Sequence, residues 1–173
     1  MDASSFIKRQ LRTLHSQYDT VAGDLTDEQA NHVPPGGHQS IAFCLWHYAR
    51  TEDNIVRFVI QHQPTVWIEG GWDQRFGLDS KAQGTGMTDE QAAALTIKPI
   101  ADFRRYMKDV WAASDEYIGS LSEAGLEQKV TVKPLGEMTL FDCLTNMCIT
   151  HGFRHLGEVE YARGLFGLRG ATI

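Results

Sequence analysis

Apolar residues recur at alternating steps of three and four along most of this chain, and that spacing commits it to amphipathic helices. The first stripe is Ile7, Leu11, Leu14, Tyr18 and Val21, behind the cap candidates Ser4 and Ser5 and ending near Gly23. Thr26-Asp27-Glu28-Gln29 has capping-box form and opens a short helix, after which Pro34-Pro35-Gly36-Gly37 breaks the chain. A second long helix is expected from Ser40 to about Gln61. Ile41, Leu45, Tyr48, Ile55 and Val59 form its stripe, with Cys44, His47, Thr51 and Phe58 beside it. No period survives from His62 to Met87, where Pro64, five glycines, Trp67 and Trp72 mark a long connection. Thr88 caps a short helix through Leu95. Pro99 suits a first helical turn, and Ile100, Phe103, Met107, Val110, Tyr117 and Leu121 make the third long stripe. Lys129 to Lys133 alternates Val130 and Val132 and reads as a short extended piece. Thr139 caps the fourth helix, with the stripe Leu140, Leu144, Met147, His151, His155, Glu158, Ala162 and Leu165, stopping near Gly167. Four long helices with one long crossover connection between the second and third predict an all-α fold, a four-helix bundle, in a single domain over residues 1–173.

Charge and composition narrow the function. Sixteen Lys and Arg against twenty-two Asp and Glu give a net charge of −6, so nothing neutralises a phosphate backbone and no nucleic acid is expected as a partner. The longest uninterrupted apolar run, Ile41 to Trp46, is far short of the ~20 residues that span a bilayer, so no membrane is expected either. The opening MDASSFIKRQ lacks an apolar signal core, and the odd set Cys44, Cys143 and Cys148 lies inside apolar segments. A cytoplasmic protein with reduced, buried thiols is expected.

The fourth stripe turns polar at one place. His151 and His155, four residues apart, lie on one helix face about 6 Å apart along the axis, so both imidazoles can converge on one ion. Glu158 extends that face. An isolated H-x-x-x-H is more often a chance, surface or hydrogen-bonded pair than a ligand set. It is not a zincin motif, because Gly152 stands where H-E-x-x-H places its glutamate base. A third histidine, His47, sits in the apolar-aromatic run Phe43, Leu45, Trp46 and Tyr48 of the second helix. Alone it reads as a core histidine. With the pair it gives three nitrogen donors on two helices, the pattern of metal sites that keep open positions. His15, His32, His38 and His62 have no partner spacing.

The run Ser40-Ile41-Ala42-Phe43-Cys44-Leu45-Trp46-His47-Tyr48-Ala49-Arg50-Thr51-Glu52-Asp53 resembles the first signature of the DinB-like superfamily, and Thr150-His151-Gly152-Phe153-Arg154-His155-Leu156-Gly157-Glu158 resembles its second. Gly70-Gly71-Trp72-Asp73-Gln74-Arg75-Phe76-Gly77, followed by Gly84-Thr85-Gly86, resembles a subset of these proteins. The likeness runs from about Ile7 to Gly167. It implies a DinB-like four-helix bundle holding a divalent metal ion through His47, His151 and His155, with zinc foremost and nickel or iron as alternatives. It also implies a small-molecule substrate and, as a co-substrate, a low-molecular-weight thiol. Chemistry in such families includes thiol-dependent S-transfer and isomerisation, and iron-dependent sulfur insertion. The family name refers to induction by DNA damage and implies no contact with DNA.

Neighbouring residues admit two readings each. Glu158 or Glu52 either accepts a hydrogen bond from a ligand histidine or is a rim carboxylate. Arg50, Arg57 and Arg154 either bind a substrate carboxylate or form ordinary ion pairs. Trp67 and Trp72 either close over a pocket or pack the connection down. A metal-dependent S-transferase leads, ahead of a metal-dependent hydrolase needing a base such as Glu158, and of a non-enzymatic metal-binding stress protein. The metal is expected to dissociate below about pH 6, where imidazoles protonate. A homodimer is an expectation from the long crossover.

Overall fold

The computed structural model describes residues 2–171; Met1, Thr172 and Ile173 of the expected 1–173 domain lie outside the described residues. Helix α1 spans Ala3–Ala22 and buries Ile7, Leu11, Leu14, Tyr18 and Val21. Its cap is Asp2, whose carboxylate accepts the Ser5 N–H at 2.7 Å. The expected cap Ser4 is buried instead, its hydroxyl donating to Leu121 O at 3.1 Å, because the apolar stripe turns it inward. Helix α2 (Asp27–Asn31) is closed by the reciprocal Thr26 and Gln29 capping box.

Helix α3 (Ile41–Asp53), capped by Ser40, continues without a break as a π-helical stretch, Asn54–Ile60. The crossover is not structureless: it contains α4 (Val66–Glu69), α5 (Trp72–Phe76) and α6 (Asp89–Ala94), the last closed by the Thr88 and Gln91 capping box. Helix α7 covers Ile100–Ser120, with Pro99 as its cap. A short α8 (Glu123–Leu126) follows, and the extended piece proves to be half of a hairpin. Strand β1 (Lys129–Val132) pairs antiparallel with β2 (Gly136–Thr139), Lys129 opposite Thr139 and Val132 opposite Gly136. The fourth long helix is composite: α9 (Leu140–Cys143) capped by Thr139, a second π stretch Leu144–Thr150, and α10 (His151–Leu165).

These long helices form the bundle, with α10 against α3 and α1, and α7 against α1 and α3. Leu11, Leu14, Leu45, Tyr106, Phe103, Met107 and Leu144 meet in the core, where each large apolar side chain removed from water contributes about 1.5–3 kcal/mol. One threonine hydroxyl accompanies each π stretch: Thr51 donates to His47 O at 2.8 Å and Thr145 to Phe141 O at 2.8 Å. Such i−4 bonding competes with the regular ladder and loosens a helix where it occurs. Among the described residues no helix is long and apolar enough to cross a membrane.

Candidate metal centre

Three histidines from two packed helices meet at one point. His47 comes from the middle of α3, and His151 and His155 from the first turns of α10, immediately after the π stretch. His151 Nε2 lies 3.2 Å from His47 Nε2 and 3.0 Å from His155 Nε2. With metal–nitrogen bonds of about 2.0–2.1 Å, two ligands of a tetrahedral ion lie about 3.3 Å apart, and two at right angles about 2.9 Å. Both separations fall between those limits, and one ligand nitrogen from each of the three rings lies within 4.8 Å of the others, so the cluster could hold one ion.

The other face of each ring sets its protonation. His47 Nδ1 lies 2.5 Å from the backbone carbonyl of Gln83, which only accepts, so Nδ1 carries the proton and Nε2 keeps its lone pair. His155 Nδ1 lies 2.6 Å from Glu158 Oε2. Glu158 is held below the usual carboxylate range, first by that hydrogen bond and also by Arg154, so it accepts and His155 Nε2 is likewise free. His151 Nδ1 is buried with no partner. Burial pushes His151 down to about 3, and positive charge on His155, His47 or Arg154 would push in the same direction. Burial also lowers His47. Burial therefore holds His47 and His151 in the neutral form, the form that binds metal.

The crossover reaches this point through a knot below it. Arg50, buried on α3, donates to Ala82 O at 3.2 Å, to Ser80 O at 3.3 Å and to Asp53 Oδ2 at 3.2 Å, with its guanidinium 5.1 Å from the Trp67 ring centre. Asp53 also accepts the Val66 and Trp67 N–H groups at 2.8 and 2.9 Å, and so caps α4. Arg50 and Arg57 are thus not substrate ligands; Arg57 is taken by Glu69 and by Pro64 O. Trp67 is fully buried against Tyr106 and Phe76 and packs the connection down. Glu52 does not touch the histidine cluster. It is wholly buried, accepting from Tyr48 OH at 2.5 Å and pairing with His15 Nε2 at 3.0 Å. Burial is the largest influence and works to raise it, but attraction to His15 together with hydrogen bonds from His15, Ser114 and Tyr48 outweighs it, and Glu52 ends lowered.

Cys44, His155 and Glu158 also lie close enough to share an ion. Burial raises the Cys44 thiol to about 12, and Glu158 adds to that, so it stays protonated and donates toward Glu158 at 3.8 Å. That thiol is a poor ligand. Gly152 is explained by packing: a Cβ there would sit 2.7 Å from Tyr48 Cε2 and closer still to Leu14. A glutamate base at that position has no room.

The nitrogens open onto a cavity of about 840 Å³. Phe43, Phe58 and Met147 wall it, and the hairpin tip at Lys133 and Leu135 overhangs it together with Arg154. Lys133, Phe58 and the Gln83 carbonyl carried no signal of function in the sequence; for the last, Gly84-Thr85-Gly86 was the one hint.

Bundle and cluster define a helical-bundle protein with a candidate three-histidine metal site on its inner face. A family model for the DinB superfamily matches residues 10–159, and the chain belongs to that superfamily. It is similar in fold to the crystal structure of a conserved protein from Enterococcus faecalis, with a TM-score of 0.83 and 20% identity over 96% of this chain and 99% of that one. No curated protein matches the chain.

Proposed function

We propose that the protein is a metal-dependent transferase that uses a small thiol, with His47, His151 and His155 holding one divalent ion. Zinc is the first choice and nickel or iron the alternatives, since three imidazoles accept most late first-row ions. The observation that carries this reading is the convergence of the three Nε2 atoms, at 3.0 and 3.2 Å, on the floor of an open cavity. A divalent ion bound there would acidify a thiol or water placed beside it.

Everything else falls to the chain. Gln83 O and Glu158 orient two of the ligand rings, and Phe43, Phe58 and Met147 give the cavity an apolar wall. In the transfer the thiol sulfur forms the new S–C bond, the acceptor's leaving group departs with its bonding pair, and the thiol proton passes to solvent. Hydrolysis is the weaker reading for one reason. No Asp or Glu among the described residues lines the cavity, and Glu158 is turned to His155 Nδ1, so activated water finds no carboxylate base.

The test pairs elemental analysis of wild type and His151→Ala with conjugation of several low-molecular-weight thiols to a model electrophile. Metal at one ion per chain in wild type, its loss in the variant, and turnover that disappears in His47→Ala support the reading. Turnover unaffected by His47→Ala, with no thiol perturbing the metal, sinks it.

A further inference from the structure

In a chain with a net charge of −6, the cavity above the histidines contains no carboxylate among the described residues. The full formal charges on its wall are Lys133, at the hairpin tip, and Arg154, between the two ligands of α10. Neither forms an ion pair among the described residues, whereas Arg50, Arg57, Arg75, Arg104, Arg105 and Arg163 each have a carboxylate partner. The remaining wall is mostly apolar. Phe58 and Leu135 stand 59% and 61% exposed at the opening, and Phe43 and Met147 lie deeper.

Two cations on a concave wall with no carboxylate of its own focus a positive potential; Glu158, behind His155, offsets part of the Arg154 charge, and a bound divalent ion would add to the field. A guanidinium also offers a planar fork that matches a carboxylate. We infer that the cavity binds an amphipathic organic anion: a carboxylate engaged by Arg154 and Lys133, on an aromatic or aliphatic body seated against Phe43, Phe58 and Met147. Within the proposed transferase this is the class of the acceptor substrate. The recognition itself uses side chains of the chain and no metal, so it stands separately from the transfer chemistry.

Titration calorimetry with three ligands of one shape tests it: hydrocinnamate, hydrocinnamyl alcohol and phenylpropylamine, each against chelator-treated and metal-loaded protein. The acid is expected to bind about tenfold or more tighter than the alcohol in both forms, with the amine weakest. Arg154→Gln and Lys133→Gln are each expected to weaken acid binding several-fold while leaving the alcohol unchanged. Lys133 is remote in sequence from the ligands, so its variant reads the anion contact without disturbing them. Equal binding of acid and alcohol, no binding of either, or a preference indifferent to both substitutions overturns the inference. A preference present in the loaded form alone means direct coordination of the carboxylate and overturns it too. Absent thiol conjugation in a protein that keeps the preference overturns the transferase reading and leaves this one standing.

Discussion

The Nδ1 of His47 donates across 2.5 Å to the backbone carbonyl of Gln83, thirty-six residues further along the chain. A loop carbonyl from the crossover thereby fixes the tautomer of a ring in the second helix. The next residue, Gly84, stands at φ +94°, and a Cβ there would lie 2.7 Å from His47 Nδ1. Gly84→Ala is therefore expected to displace the carbonyl and weaken metal affinity about 10–100-fold, the usual effect of disturbing such a partner. Competition with a chromophoric chelator reads the affinity, and unchanged affinity would refute the positioning role.

Removing the metal should leave the bundle folded. Four apolar stripes meet in one core without help from the histidines. Circular dichroism after chelation should stay strongly helical, in contrast to a zinc finger. Collapse to coil would make the site a structural one.

The chelated protein should lose stability as the solution is acidified below about pH 6.5. Folding lowers His151 to about 3 and lowers His47 as well, while the unfolded rings return to about 6.5. Below that pH the unfolded chain takes up protons that the folded chain refuses, so stability falls with pH. Glu52, lowered in the fold, acts with the same sign: its contribution is present above its ordinary 4.5 and is lost as pH drops through the folded value. Urea midpoints at pH 7 and pH 5 with chelator present check this, and an equal or higher midpoint at pH 5 contradicts it. For the same reason, competition from protons at His151 begins well below the pH 6 expected of an ordinary imidazole.

Glu52→Ala should be among the most damaging substitutions in the core. It strips His15 and the Tyr48 hydroxyl of their shared acceptor inside the bundle. Breaking a buried pair by removing one partner costs about 3–5 kcal/mol. Metal content per folded molecule should be unchanged, because Glu52 touches none of the three ligands. A stability loss below about 1 kcal/mol would contradict this account of the pair.

Gly152→Ala should lower stability by about 1–3 kcal/mol, the range for overpacking a filled core. Its methyl meets Tyr48 and Leu14, both fully buried. A thermal-shift measurement against wild type decides it, and a neutral result would show that α10 can move away from α3 at little cost.

Stripes such as Ile7, Leu11, Leu14, Tyr18 and Val21 made the long helices legible, because burial on one face leaves its period in the sequence. The π stretches at Asn54–Ile60 and Leu144–Thr150 were not legible, since widening a helix over a few turns changes no residue type. Strand β2 was missed because Gly136, Glu137, Met138 and Thr139 do not alternate. The histidines could be read from spacing and resemblance together. Gln83 could not, because a carbonyl acceptor is available from any residue. The pairing of His15 with Glu52, thirty-seven positions apart, is a tertiary event with no local trace. Of the two readings of Arg50 the ion pair holds, a choice the sequence left open because adjacency to His47 does not show that α3 turns it to Asp53 and the crossover.

Close contact at Gly152 also bears on how such a chain can diversify. One substitution, Gly152→Glu, would write a metalloprotease-like H-E-x-x-H into α10, yet Tyr48 and Leu14 occupy the space that the new side chain requires. The helical face is closed to that innovation unless the bundle is respaced, a change no single codon delivers. Novelty at this centre has to enter through the hairpin tip, where Lys133 and Leu135 are exposed and new side chains disturb no packed interface.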